Sequence, residues 1–204
     1  MNINKLGNQL INCLAEGLVN KYANVKESFE KDGLYAYVLY CASNFSVMCI
    51  AASTQNSLVK VKRNLRESDI ELLESLKEHP DLLADFISCS DSDLYAEMTA
   101  CEWEYIYDIP EFEELDSIVE EVYEYSDEDA DVNFDVSKFL TNCIVEAIKK
   151  FQSLPDFDSR LLTGIQFADP SEFETKIVEK VSNQVNSHYW HEKLIKLKND
   201  QKNS

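Results

Sequence analysis

The residues of this sequence that could do chemistry fall into three small groups of carboxylates and histidines. In the first, Glu102 and Glu104 flank Trp103 in the run EWEY. Two carboxylates held roughly 5 to 10 Å apart can act as general acid and general base. The alternative is an amphipathic strand, in which alternation places both glutamates on one face and the tryptophan on the other. We prefer the strand because it accounts for the pattern without catalysis.

The second group is a pair of histidines, His188 and His191, in the run HYWH. Their i,i+3 spacing on a helix would let them share a metal ion with an acidic residue, but two ligands alone are a weak signal. The alternative is that Tyr189 and Trp190 help to cover the core while the histidines lie at its rim. We therefore predict no metal site and no cofactor.

The third group consists of Asp127, Asp129 and Asp131, whose alternating positions match the start of an EF-hand calcium loop. The rest of that motif fails, because Val132 stands where the turn requires glycine and Lys138 stands where a bidentate glutamate is needed. We predict a solvated loop instead. The four glycines form no phosphate-binding loop, and neither a nucleophile elbow nor HExxH is present, so we predict that the protein is not an enzyme.

The distribution of charge is the strongest signal in the sequence. The 204-residue chain has a formal net charge of -19, and the segment from Glu78 to Ser137 contains 21 of its 38 acidic residues and no lysine or arginine. Outside this acidic window the chain is nearly balanced, with 17 acidic and 19 basic residues. Such charge repels nucleic acid and anionic lipid and attracts cationic surfaces. We predict a basic protein as partner, with no direct contact to nucleic acid or membrane.

Periodicity predicts that part of the acidic window is a folded surface. Apolar residues recur there at i, i+3, i+4, i+7 and i+8, which lines one face of a helix. They are Leu115, Ile118, Val119, Val122 and Tyr123. Acidic residues fill the other face, Pro110 suits the first turn, and the run SDEDAD after the helix is predicted to be a loop. The predicted partner-binding residues are Tyr107, Asp108, Glu113, Glu114, Asp116, Glu120, Glu121, Tyr123, Glu124, Tyr125, Asp127, Glu128, Asp129 and Asp131.

Aromatic residues stand among these carboxylates. They are Tyr95, Trp103, Tyr105, Tyr107, Phe112, Tyr123 and Tyr125. Aromatic anchors ringed by charge are typical of tight protein interfaces. We expect many of the seven to be core residues and two or three, with Tyr107, Tyr123 or Tyr125 foremost, to reach the surface. The alternative is that the acidity serves only solubility, because charge runs are usually solvated faces.

The elements that must position these residues follow from the patterns along the chain. Helical spacing predicts helices over 4–30, 68–79 and 136–152, another after an N-cap at Asp169, and a basic one from His188 that frays from about residue 196. Ser68 is the predicted N-cap of the second helix. The runs LYAYVLYCA and VMCIAAST predict a hairpin from Leu34, a further strand is expected over 94–107, and a short one over 161–169.

These elements predict a single α/β (α+β) domain spanning residues 1–204. It would contain a small, mostly antiparallel sheet with an N-terminal hairpin, packed by several helices, and an acidic helix and loop at 110–135. The six cysteines show neither a CxxC pair nor zinc-type spacing, so we predict free thiols in the cytoplasm, although Cys41 and Cys49 could meet across the hairpin. We also expect no membrane span, because no run of roughly 20 apolar residues occurs, and no signal peptide.

Three runs, YAYVLYCASNFSVMCIAAST, EWEY and LLTGIQFADPSEFE, together resemble a bacterial domain-of-unknown-function family of small α/β proteins. Some members are encoded near polymorphic or contact-dependent toxins. The resemblance spans most of the chain and implies an immunity-like role, but it brings no catalytic residues. The acidic run from Glu111 to Asp131 is not part of the family pattern, which would suit a surface specialised in this member.

The sequence thus predicts a binding protein, most simply an immunity protein that neutralises a cognate basic toxin, such as a nuclease, by covering its active cleft with an acidic surface. Two other classes stay open. An acidic regulatory or adaptor protein, including a mimic of nucleic acid, has the same electrostatic features and differs only in its partner. A metal-dependent enzyme would need a pocket that converges on Glu102 and Glu104. The oligomeric state stays open as well.

Overall fold

The computed structural model describes residues 2–45, 47–79, 92–128 and 134–202, and it contains a four-stranded mixed sheet between two groups of helices. The strands are β1 (Leu34–Cys41), β2 (Met48–Thr54), β3 (Tyr105–Tyr107) and β4 (Ile165–Phe167). Their order is β3-β2-β1-β4, with β1 antiparallel to β2, β2 antiparallel to β3, and β4 parallel to β1. The predicted α/β class and the mostly antiparallel sheet are confirmed.

Seven α-helices lie within the described residues. They are α1 (Ile3–Ser28), α2 (Gln55–Ser75), α3 (Ser92–Met98), α4 (Leu115–Glu128), α5 (Val136–Gln152), α6 (Glu172–Val185) and α7 (His188–Lys202). None of the helices in these residues is long and apolar enough to span a membrane. The predicted helices at 4–30 and 136–152 and the acidic helix are confirmed to within a few residues. The helix from His188 is confirmed as well, but it continues to Lys202 instead of fraying from about residue 196.

The hairpin of β1 and β2 is buried on both faces of the sheet. Its register places Leu39 opposite Ile50 and Tyr40 opposite Cys49. Cys41 lies opposite Met48, the residue next to Cys49. Because side chains alternate between the two faces of a strand, Cys41 and Cys49 project from opposite faces of the sheet. The two cysteines therefore do not meet, and both thiols are free.

Each face of the sheet has its own apolar core. Residues such as Tyr37, Leu39 and Ile50 pack against α1, α4 and α5, with α6 closing the side next to β4. Val38 and Ala51, on the opposite face, pack with α2, α3 and α7. Burying each large apolar side chain contributes about 1.5–3 kcal/mol, so these two cores fix the helices onto the sheet.

Two helices begin at other residues than predicted. The helix expected from Ser68 begins at Gln55, because Thr54 Oγ1 accepts a hydrogen bond from the Ser57 backbone N–H at 3.0 Å and Ser57 Oγ accepts one from the Thr54 N–H at 3.1 Å. The cap of α6 is Ser171 instead of Asp169. In both helices a capping box satisfies two backbone donors, whereas a single cap residue satisfies one.

The strand predicted over 94–107 is wrong for most of its length. Residues 92–98 form α3 and residues 100–102 form a 3-10 turn, so only Tyr105–Tyr107 is a strand. Leu94 and Met98 are buried on one side of α3 and Ala96 almost opposite them, so burial on two sides of a short helix produced the alternation that suggested a strand. The strand expected over 161–169 shortens to β4, and Pro110 begins a separate 3-10 turn before α4.

Candidate functional site

The candidate surface is the solvent-exposed side of α4. Four residues of its apolar stripe, Leu115, Ile118, Val119 and Val122, are buried in the core against α1 and α5. The opposite side of the helix is thereby turned to solvent and held in a fixed orientation. The residue types agree with this arrangement, since Asp116 in the first turn favours the positive end of the helix dipole.

The carboxylates on this side form a continuous acidic surface. We define the acidic surface as the exposed residues Glu113, Glu114, Asp116, Glu120, Glu121 and Glu124. Within the described residues, no lysine or arginine nitrogen lies within 4.0 Å of any of these six carboxylates. Asp116, Glu120 and Glu124 follow one another at i,i+4, so they line one ridge along the helix axis.

Other acids of the window are paired with basic residues of α2 and α7. Both carboxylate oxygens of Asp93 accept hydrogen bonds from Arg66, at 2.6 and 2.8 Å. Glu97 pairs with Lys193 at 2.6 Å and Glu104 with Lys60 at 3.6 Å. The fold thus compensates the charge of the window around α3 and leaves it uncompensated on α4.

Hydrogen bonds hold the start of this segment against the rest of the fold. The Asn20 side-chain amide of α1 donates to Glu111 Oε1 at 2.7 Å, and this hydrogen bond lowers the pKa of Glu111. The Cys13 thiol donates to the Glu111 carbonyl oxygen at 2.6 Å. Asp116 Oδ1 accepts a hydrogen bond from the Val47 backbone N–H in the β1–β2 connection at 3.1 Å.

A close approach of the Phe112 side chain to the α1 backbone completes the anchoring. The Phe112 ring lies directly over Gly17 of α1, where a Cβ atom would overlap the ring and would lie 3.0 Å from Ile109 Cγ2. A side chain at position 17 would force the Phe112 ring to shift, and this ring belongs to the 3-10 turn Pro110–Phe112 that leads into α4. The position of the acidic surface therefore depends on α1.

The contact of Cys13 with the acidic segment was not found from the sequence. Burial and the charges of Glu114, Glu16 and Glu111 raise the pKa of Cys13 to about 11. Glu16 lies one turn further along α1, whereas the packing of α1 against the 3-10 turn and α4 brings Glu111 and Glu114 near the thiol. No spacing or composition signal in the sequence could have assigned this contact.

The three predicted aromatic anchors differ in exposure. Tyr123 is 39% exposed among the carboxylates of α4, and burial together with the charge of Glu174 raises its pKa. Tyr125 is half-buried and packs edge-on against Phe134, with ring centroids 5.3 Å apart. Tyr107 is half-buried beneath Lys21, whose ammonium lies 4.2 Å from the ring centroid.

The remaining predicted residues lie at the ends of the segment. Asp108 is exposed after β3, and together with burial its charge raises the pKa of Cys49 to about 11. Asp127 and Glu128 form the last turn of α4, where a loop was expected. Asp129 and Asp131, and with them the aspartate spacing that suggested calcium, lie outside the described residues.

The other candidate chemical groups are separated in the fold. Glu104 is exposed beside Lys60, whereas Glu102 is half-buried near Cys101 Sγ, and neither glutamate belongs to a strand. His188 is exposed, and His191 is half-buried with Nδ1 3.3 Å from Ser182 Oγ. Within the part of the chain that the structure describes, no three His, Cys, Asp or Glu side chains are grouped so that they could hold a metal ion.

Comparisons with known proteins add nothing to this geometry. No protein-family model, curated protein or solved structure matches the chain. The resemblance to a toxin-associated bacterial family thus stays a prediction, and the account of function depends on the surface of the molecule itself.

Proposed function

We propose that this protein acts by stoichiometric binding, as an immunity protein whose acidic surface covers the active cleft of a cognate basic toxin in the cytoplasm. The observation that supports the proposal most is the uncompensated charge of α4. Four exposed carboxylates stand on this helix and two more immediately precede it, the helix is anchored by a buried apolar stripe, and no lysine or arginine lies within 4.0 Å of the six in the described residues. Such a surface attracts a cationic partner over distances of about a Debye length, roughly 8 Å at physiological salt.

Folding alone does not account for this arrangement. Like charges at i,i+4, such as Asp116 with Glu120 and Glu120 with Glu124, destabilise a helix by a few tenths of a kcal/mol per pair. The last turn of α4 contains no basic residue, although the negative end of the helix dipole favours one. The chain therefore tolerates an energetic cost on this helix, which a binding role explains better than a purely structural one.

The proposed mechanism is occlusion. The α4 carboxylates would accept charge-assisted hydrogen bonds from Lys and Arg side chains that otherwise hold the toxin's substrate, which for a nuclease would be phosphates. Tyr123, whose side chain is 39% exposed among these carboxylates, supplies an aromatic contact to the partner. Its hydroxyl stays neutral and can donate a hydrogen bond, because burial and Glu174 raise its pKa.

The test uses the protein as bait in lysate of the source cells, with a charge-reversed variant and a matched control. The variant Glu120→Lys, Glu121→Lys, Glu124→Lys changes three exposed carboxylates of α4. The control Glu27→Lys, Glu30→Lys, Glu71→Lys makes the same change in net charge at exposed positions of α1, of the turn that follows it and of α2. Bound proteins are eluted with salt and identified by mass spectrometry, and the purified partner is then titrated with each form.

The proposal expects a basic protein that the wild type and the control capture at low salt and that high salt releases. The α4 variant should not capture it, and the partner's own activity should be inhibited at a 1:1 ratio. A partner that binds the α4 variant as well as the wild type would refute the proposed surface. A basic partner with no toxic activity would favour the regulatory or nucleic-acid-mimic class instead.

A further inference from the structure

A cavity of about 300 Å³ opens at the carboxyl end of β4, between α3, α6 and α7. It lies away from the acidic surface and is lined by the last residues of β4 and by Ala168, Asp169 and Pro170, where the chain turns into α6. Because β4 runs parallel to β1, the cavity lies at the end of the sheet where both of these strands terminate. Its volume matches that of small-molecule sites.

The cavity is held open by a side chain of β4. Gln166 Nε2 donates a hydrogen bond to the Met98 carbonyl oxygen at 2.7 Å, and Gln166 Oε1 accepts one from the Ala100 backbone N–H at 2.7 Å. These two bonds fix the end of α3 to the sheet, so the helix cannot collapse into the space. The site is thus formed before any ligand arrives, which reduces the entropic cost of binding.

The floor of the cavity is apolar. It is lined by Met98 and Leu197, which are buried, and by Val178 and Leu194, which are half-buried. A small aromatic or branched apolar group would be removed from water there, with about 25 cal/mol gained for each Å² of apolar surface. The floor therefore selects a ligand with an apolar body.

Polar groups stand on two sides of this floor. Tyr95 and Cys101 lie on one side, with the hydroxyl oxygen and the sulfur 3.9 Å apart, and burial raises the pKa of both groups, so they are neutral at neutral pH. On another side Lys198 forms an ion pair with Glu179, and their charges cancel. Asp169 is exposed at the mouth, and none of the described lysines or arginines pairs with it, so the mouth is anionic.

A second cavity, of about 470 Å³, lies at the amino end of β1. More charged residues line it, among them Lys26, which pairs with Asp156, and Arg160, which pairs with Asp158.

We propose that the cavity between α3, α6 and α7 binds a small amphipathic molecule with an apolar, ring-sized body and a protonated amine. The body occupies the space above Met98, Val178 and Leu197. The ammonium lies toward Asp169 and can donate to the neutral Tyr95 hydroxyl. This site is separate from α4 and does not depend on the proposed immunity function.

The test compares two probes of similar size and opposite charge, 2-phenylethylamine and 3-phenylpropionate, by titration of the ¹⁵N-labelled full chain followed by NMR. The amine should cause saturable shifts in the amides of 95–101, 166–170 and 194–198, with a dissociation constant on the order of 1 mM. The carboxylate probe should bind about tenfold more weakly, because Asp169 repels it. Asp169→Asn should remove most of this difference.

Val178→Phe, which fills the cavity, should abolish the saturable shifts, and Val59→Phe, which makes the same change at an exposed position of α2, should leave them intact. If Val178→Phe does not fold, Asp169→Asn still tests the choice between the probes. The proposal is overturned if neither probe gives saturable shifts in these segments, or if both probes bind equally well to the wild type.

Discussion

Asp116 Oδ1 accepts a hydrogen bond from the Val47 backbone N–H at 3.1 Å, which ties the acidic helix to the connection between β1 and β2. Val47 has a φ of 48°, in the left-handed region that a β-branched residue rarely adopts. The carboxylate satisfies a backbone donor in a strained segment, so this member of the acidic surface also serves the fold.

Replacement of Asp116 should therefore destabilise the protein, unlike replacement of its neighbours. Asp116→Ala is expected to lower the free energy of unfolding by about 1–2 kcal/mol, since it removes both the hydrogen bond and a favourable charge in the first turn of α4. Asp116→Asn keeps an acceptor and should recover part of the loss. The free energy of unfolding of both variants is measured in urea. Glu120→Ala, which removes an exposed carboxylate, should change this free energy by less than about 0.5 kcal/mol. Equal losses for Asp116→Ala and Glu120→Ala would contradict a structural role for Asp116.

Gly17→Ala should also destabilise the protein, although alanine favours helices by about 1 kcal/mol over glycine. The added methyl group would overlap the Phe112 ring, and overpacking of a core costs about 1–3 kcal/mol. We expect a net loss of about 1 kcal/mol in urea unfolding. Gly7→Ala is the matched comparison, because its Cβ would lie 3.0 Å from Cζ of the half-buried Phe139, a ring with more room to shift. A Gly17→Ala protein at least as stable as the wild type would show that the 3-10 turn is not packed against α1 as described.

The Cys13 thiol reports on the charge of the acidic surface. Its pKa is raised from 9.0 to about 11, so at pH 8.5 its thiolate is much rarer in the folded than in the unfolded protein. Alkylation of Cys13 by iodoacetamide, followed by peptide mass spectrometry, should be roughly tenfold to a hundredfold slower in the folded protein than in urea. Glu114→Gln should speed it by removing one of the charges that raise the pKa. The same change at Glu124, which is not among the causes of the shift, should have no effect.

The raised pKa of Cys13 also makes the free energy of unfolding depend on pH. Because the folded state holds the Cys13 proton more tightly, the contribution of this thiol to stability is present below pH 9 and is lost as the pH rises from 9 toward 11. The free energy of unfolding can be measured in urea at pH 8 and at pH 10. Between these two pH values it should fall less for Cys13→Ala than for the wild type. A Cys13→Ala protein with an equal or larger loss would contradict the raised pKa.

Patterns that repeat over several turns were predicted well from the sequence. The stripe of Leu115, Ile118 and Val122 identified α4, since a long amphipathic period has few competing explanations. The hairpin was found because β-rich runs on both sides of SNFS have no helical alternative. These signals depend on residues that are near one another in the chain, and the fold preserves them.

Features that depend on tertiary contacts were not predictable. α3 was taken for a strand because Leu94 and Ala96 are buried on two sides, which only the packing between α2 and α7 explains. The compensation of Glu97 by Lys193 joins residues 96 positions apart, and the contact of Cys13 with Glu111 joins residues 98 positions apart. Net charge in the sequence therefore overstated the uncompensated charge near α3 and gave no sign that α1 contacts the acidic segment.

The most direct test of the central claim is the salt dependence of association between this protein and the basic partner recovered by capture. Stopped-flow mixing would give the association rate constant at several ionic strengths for the wild type, for the Glu120→Lys, Glu121→Lys, Glu124→Lys variant, and for the control reversed at Glu27, Glu30 and Glu71. We predict a rate constant that falls steeply with salt for the wild type and the control, and a low, nearly salt-independent rate constant for the α4 variant. The same steep dependence in all three proteins would show that the acidic surface of α4 is not where the partner binds.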